Sequence, residues 1–281
     1  MATTSRGWAR YDEAVQVLRL RQKTNKGAPA YSRFVNRPLG RRFAALAHLA
    51  GLTPNTVTTI SAAFTFAGIA VIALVRPTWW SSVAVSALLV VGYALDAADG
   101  QLARLRGGGS AEGEWLDHVV DAFKTSLLHL SVLVCAWRFF DGSELRLLAP
   151  AAFSVVAPAM FFTIVLTDLL RRAHRGGTGM RLAGEGSSSR LYSIAVLPTD
   201  FGLMCLLFVL LFWQAAFLAI YTAVLVANVG FATIALPKWF REVRSFGRTA
   251  PLVPRQQETL PQSVAAGDPL PTNLIEKDAH S

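Results

Sequence analysis

Between Asp96 and Asp121 the chain reads Asp96-Ala97-Ala98-Asp99-Gly100-Gln101-Leu102-Ala103-Arg104, then eight residues, then Gly113, with Asp117 and Asp121 following at four-residue intervals. On a helix such spacings put side chains on one face, so Asp96 and Asp99 share a face and Gly113, Asp117 and Asp121 form a stripe. Four carboxylates brought together repel one another, and a bound cation relieves that repulsion. Oxygen-only donors select hard cations, Mg2+ or Mn2+, over zinc. Four carboxylates also balance the formal charge of two such ions, and two adjacent metals are the usual clamp for displacement at phosphorus. Arg104 lies one turn beyond the acidic face, suited to a phosphate oxygen. Lys124 either reaches a substrate phosphate or pairs with an aspartate. Four acids interleaved with Gly100, Ala103, Arg104 and Gly113 argue against a chance scatter of solvated helix ends.

These residues need elements to hold them in register, and the composition says what kind. Of 281 residues 53% are hydrophobic and only 16% charged, well below the quarter expected of a water-soluble domain. The apolar residues fall into six runs, roughly 55–75, 80–101, 112–140, 146–171, 191–212 and 214–237, each near the length that crosses a bilayer core as a helix. The expectation is an all-α polytopic membrane protein, with six transmembrane helices in a catalytic domain over 52–240. The acidic residues fall at the end of the second run and the start of the third. Gly107, Gly108 and Gly109 permit a tight turn between them, and Gly113 would let these two helices approach closely. Before the first run, residues 33–51 carry Val35, Leu39, Phe43, Leu46 and Ala50 on one stripe and Arg33, Arg37 and Arg41 on another. That describes an amphipathic helix in the membrane interface. Thr53 and Pro54 mark the start of the next helix as cap and first position.

The net charge of +9 does not point to nucleic acid, because the arginines flank apolar runs and form no separate basic domain. They gather in the N-terminal segment 1–32, around Arg104, between Arg171 and Arg190, and from Lys238 to Arg248. The positive-inside rule then puts both termini and the acidic cluster on the cytoplasmic side of the cell membrane. No cleaved signal peptide is expected. Residues 241–281 form a proline-rich cytoplasmic tail expected to be disordered. Cys135 and Cys205 lie in apolar runs and read as small hydrophobic residues. Trp79, Trp80, Trp137 and Trp239 read as interface anchors, and Asp168 and Asp200 either touch a polyol or are solvated helix-end charges, the second reading being favoured.

The stretch from Asp96 to Asp121 fits the signature D-x2-D-G-x2-A-R-x8-G-x3-D-x3-D at every defined position, and so resembles the CDP-alcohol phosphotransferase family. The likeness covers about residues 30–240, including the amphipathic helix and the Pro54-Asn55 pair. It implies that Asp96, Asp99, Asp117 and Asp121 hold metal, most simply two Mg2+ or Mn2+ ions. It further implies that Asp121 is the general base, and that Asn55, Asp99, Gly100, Ala103, Arg104 and Gly113 bind the nucleotide. The implied partners are a CDP-alcohol donor, a small polar acceptor, membrane lipids and a second copy of the chain in a homodimer.

The favoured reaction moves a substituted phosphate group from CDP-diacylglycerol to a small hydroxylated acceptor such as inositol phosphate, with release of CMP, in phospholipid synthesis. A soluble CDP-polyol donor such as CDP-inositol is the alternative. Lys124, Arg171, Arg172 and Arg190 are candidates for holding an anionic acceptor, although loop arginines also serve only to fix topology. His118 reads as a helix residue beside the site more readily than as a participant. A divalent cation transporter is the reading from another class. Transport would place the acids near the bilayer midplane on broken helices, whereas these lie at one boundary beside Arg104.

Overall fold

The computed structural model describes residues 2–20, 29–175 and 200–246, which are helical almost throughout and contain no strand. A helix precedes the amphipathic segment: α1, Ala2–Leu20, in a stretch that the sequence offered only as polar and basic. A wide turn of π-helix over Ser32–Asn36 leads into α2, Arg37–Leu49. The long apolar helices follow: α3, Pro54–Leu74; α4, Trp79–Leu105; α5, Ala111–Phe139; and α6, Leu148–Arg175, entered through a short 3-10 turn. The chain is described again from Asp200, with α7, Phe201–Leu207, extended by one 3-10 turn, and α8, Gln214–Phe246.

Five of these helices are long and apolar enough to cross a membrane. The chain is an all-α integral membrane protein. Of the fifth expected span, only Phe201–Leu210 is a described helix, and it is shorter; residues 176–199 lie outside the described residues, as do 21–28 and the tail from 247.

Local chemistry sets the ends. Thr53 accepts the Thr56 amide at 3.1 Å with Pro54 at the first turn of α3, as expected from sequence. Thr78 and Ser81 cap α4 reciprocally, and Ser110 caps α5 by accepting the Gly113 amide at 3.2 Å. Gly107 and Gly108 adopt φ of +103° and +143°, a backbone that disfavours a side chain, which is why the α4–α5 turn is built of glycine. Helix α8 runs well beyond the expected end at 237, because Pro237 is accommodated inside it.

In packing, α3 lies against both α4 and α5, α2 lies on α4, and α6 joins α5 to α8, while α4 and α5 hardly approach each other. The larger core gathers Leu89, Leu128, Val132, Phe208, Phe217 and Tyr221, and a polar pair within it, His129 Nδ1 and the Tyr221 hydroxyl at 2.7 Å, ties α5 to α8. A smaller cluster of Leu18, Ala44, Ala47, Val57, Ala98 and Leu102 seats α1 and α2 beside the acidic end of α4. Cys135 and Cys205 are buried and unbridged, as small apolar residues.

Two details add to the sequence reading, the second as a correction. Along the expected apolar stripe of α2, Val35, Leu46 and Ala50 are exposed and Leu39 and Phe43 half-buried, and the buried face is the small-residue line Asn36, Gly40, Ala44 and Ala47. A Cβ on Gly40 would lie 2.8 Å from the Ala97 Cβ, so close approach decides that face; of the bulky stripe, Phe43 packs in part against the cluster around Leu102 while Val35 and Leu46 stay exposed. Trp79, Trp80 and Trp137 are exposed as anchors should be, but Trp239 is only 4% exposed. It sits on the continuation of α8 and packs edge-on to Phe231.

Candidate active site

The acidic residues sit on the last turns of α4 and the first half of α5, two helices held apart by their common neighbour α3. Asp96, Asp99 and Asp117 each direct a carboxylate oxygen into one small volume, all within 4.8 Å of one another. Asp99 is fixed on both oxygens: Oδ2 accepts the Thr58 hydroxyl of α3 at 2.5 Å and Oδ1 the Gly100 amide at 2.5 Å. Three converging carboxylates, one of them aimed by donors that leave it a poor partner for solvent, suit a hard divalent cation.

Asp121 stands apart from that trio. Its Oδ1 accepts Lys124 Nζ at 3.0 Å, and the same ammonium donates a short bond to Asp96 Oδ1. Lys124 is buried, so of the two roles left open by the sequence the structure shows the pairing with aspartates. The ammonium therefore links α4 to α5 where their backbones diverge.

Gly113 does not serve an α4–α5 approach as expected. A Cβ there would meet the Asn55 Oδ1 of α3 at 3.1 Å and the Ser110 Oγ at 3.2 Å. The glycine makes room for the start of α3, and so sets Asn55 beside the entrance to α5. Gly100 and Ala103 lie on α4 with Arg104; a Cβ on Gly100 would meet nothing nearer than the Arg104 guanidinium, at 3.6 Å. The nucleotide candidates Asn55, Asp99, Gly100, Arg104 and Gly113 thus fall on three helix ends around one volume.

The arginine candidates are already engaged. Arg171 pairs with Glu242 of α8 through two bonds, at 2.9 and 2.6 Å, and so joins helices rather than pointing at the aspartates. Arg172 bonds Asp168, one turn before it on α6, and reaches Glu114 of α5 at 2.5 Å. Arg190 lies outside the described residues. His118 is 3.7 Å from Glu114 and edge-on to Phe161, consistent with a helix residue beside the site.

Asp168 and Asp200 are not solvated helix ends. Asp168 is 1% exposed and held by Arg172. Asp200 is 3% exposed; it caps α7 through the Gly202 amide at 3.0 Å and accepts the Ser32 amide at 2.9 Å. That second bond fastens the turn before α2 to the start of α7. Thr58 and the His129–Tyr221 pair were invisible in sequence as site or scaffold residues, and for Asp200 the tie to Ser32 was, because each acquires its role from a partner far along the chain. A buried-type polar residue in an apolar run was the one available signal.

The family model for CDP-alcohol phosphatidyltransferase matches residues 51–234. The chain belongs to the CDP-alcohol phosphatidyltransferase family. The match begins at Gly51, after α2, so the amphipathic helix lies outside it. Members are transferases of phospholipid synthesis that take a CDP-alcohol donor and an alcohol acceptor in the membrane, which favours the phosphotransferase reading of the acids over the transporter. No curated protein matches. Among solved structures, the chain is similar to the Mycobacterium tuberculosis phosphatidylinositol phosphate synthase with CDP-DAG bound, at 24% identity and a TM-score of 0.47. The alignment covers 74% of this chain and 93% of that one.

Proposed function

We propose that this CDP-alcohol phosphatidyltransferase moves a phosphatidyl group from CDP-diacylglycerol to a small hydroxylated acceptor, inositol phosphate foremost, and releases CMP at the cytoplasmic face of the cell membrane. The observation that carries the reading is the convergence of Asp96, Asp99 and Asp117 within 4.8 Å on helices that end beside Arg104. A diacylglycerol donor suits a site placed at the ends of lipid-crossing helices, where its tails stay in the bilayer while its diphosphate reaches the acids.

Asp96, Asp99 and Asp117 would hold Mg2+ or Mn2+, oxygen donors being the right class for either. A bound ion supplies Lewis-acid stabilisation of charge on the phosphate oxygens. The chain's own residues supply the rest. Arg104 is placed for the donor's phosphates and Asn55 for the nucleotide. Lys124 holds Asp121 by one oxygen, which orients its carboxylate. Asp121 takes the acceptor hydroxyl proton as that oxygen bonds to the β-phosphorus. The bond from the β-phosphorus to the bridging oxygen breaks, and its electron pair leaves with CMP. A carboxylate is a weak base for an alcohol, but late proton transfer in a loose transition state tolerates that. An anionic acceptor would be met by Arg172 in exchange for the Glu114 carboxylate that it bonds at the start of α5, its bond to Asp168 being kept.

The test is CMP release by the purified protein with Mg2+, CDP-diacylglycerol and a panel of inositol phosphate, glycerol phosphate and serine, run beside CDP-inositol as donor. Inositol phosphate with CDP-diacylglycerol is the expected productive pair, and Asp121→Asn should lower its rate by about 10²-fold or more. Unchanged CMP release in Asp121→Asn would refute the base assignment. Productive turnover only with CDP-inositol would move the protein to the soluble-donor reading.

A further inference from the structure

Lys124 is not required by the family signature, yet it occupies the middle of the acidic group. Its ammonium bonds one carboxylate from each helix, Asp96 on α4 and Asp121 on α5. A second divalent ion shared by those two acids would need that same position. The lysine is 5% exposed, and a buried ammonium cannot leave two carboxylates for an apolar surround without a large desolvation penalty. Nor can it stay beside a second dication without like-charge repulsion at short range in a poorly screened site. Formal charge points the same way: one divalent ion, Lys124 and Arg104 together neutralise the four aspartates.

Resting on the metal reading of this site, we propose that Lys124 is a built-in cation standing in place of a second metal ion, so that each chain binds one divalent ion, on Asp96, Asp99 and Asp117. Asp121 is then oriented by a side chain instead of by a metal. The lysine is a positioning residue, and it makes the metal requirement of this enzyme simpler than four carboxylates suggest.

The experiment counts ions without turnover. The purified full chain is titrated with Mn2+, and the free-ion electron paramagnetic resonance signal gives bound Mn2+ per chain. One ion is expected for the natural protein, with no signature of a spin-coupled pair. Lys124→Met, which keeps the stem and removes the charge, should bind two with pair coupling, and the double variant Lys124→Met/Asp121→Asn should return to one. Two ions of similar affinity in the natural protein overturn the proposal while leaving the metal reading intact; no bound Mn2+ overturns both. A count that stays at one in a Lys124→Met protein with unchanged gel-filtration profile and melting temperature also overturns it. Should that variant not fold, the natural protein's count and the absence or presence of pair coupling decide alone.

Discussion

Thr58 shows how a carboxylate of a candidate metal site depends on a residue with no metal-binding chemistry of its own. Its hydroxyl reaches Asp99 Oδ2 at 2.5 Å from a neighbouring helix, and both side chains are buried. A single hydroxyl proton serves either Asp99 or the Pro54 carbonyl at 3.1 Å, and the shorter contact identifies the carboxylate as its partner. Thr58→Val keeps the shape and removes the donor, so Asp99 loses the bond that aims it. Such supporting bonds are typically worth about 10–100-fold in metal affinity. The expected result is a rise of about tenfold or more in the Mn2+ concentration that half-saturates CMP release, with Thr58→Ser close to the natural protein. An unchanged Mn2+ requirement in Thr58→Val would remove this role. The sequence made the aspartates legible because their own spacing carries the information, whereas Thr58 is one of several threonines on an apolar helix. Nothing within α3 distinguishes it; only the fold brings Asp99 to it across 41 positions. Lys124 is the intermediate case, near enough to Asp121 for a pairing to be considered, but with Asp96 out of local view.

At the scale of elements, the long helices were readable because lipid demands an uninterrupted apolar run, and Thr53 and Pro54 mark the start of the first. Their contacts were not readable. In α2 the conspicuous stripe is the apolar one, yet the side that docks is the quiet line of small residues, because closeness to α4 is set by what is missing at Gly40. A Cβ there would come within 2.8 Å of the Ala97 Cβ and 2.9 Å of Gln101 Nε2, and Gln101 also donates to the Arg37 carbonyl at 3.2 Å. Ala97 lies between Asp96 and Asp99 on α4, so a displacement of α2 would be felt by them directly. Gly40→Leu should therefore destabilise the protein by about 1–3 kcal/mol, the range for overpacking, and lower CMP release along with it. Leu46→Ala, on the outward side of the same helix, should leave the melting temperature in detergent unchanged. Equal melting temperatures for the two variants would mean that α2 does not press on α4 as described.

For the whole molecule, the remaining question is which way the bundle stands in the bilayer, and charge supplies the argument. The N-terminal segment, the α4–α5 turn with Arg104 and Arg106, and the segments from Arg171 to Arg190 and Lys238 to Arg248 carry most of the basic residues, whereas the turn from α5 to α6 is flanked only by Arg138 and Arg146, a bias that sets orientation. The acids and both termini should then face the cytoplasm. The two natural cysteines are fully buried and will not react with a polar maleimide, so single added cysteines report cleanly. Gly109 is exposed, has no atom within 4 Å of a built Cβ, and does not need the positive φ of its neighbours; Ser143 is exposed in the opposite turn. With a membrane-impermeant maleimide on intact cells, Ser143→Cys should be labelled and Gly109→Cys should react only after the membrane is opened. The reverse pattern would turn the molecule over and place its acids outside, where the proposed donor could not reach them from the cytoplasmic leaflet.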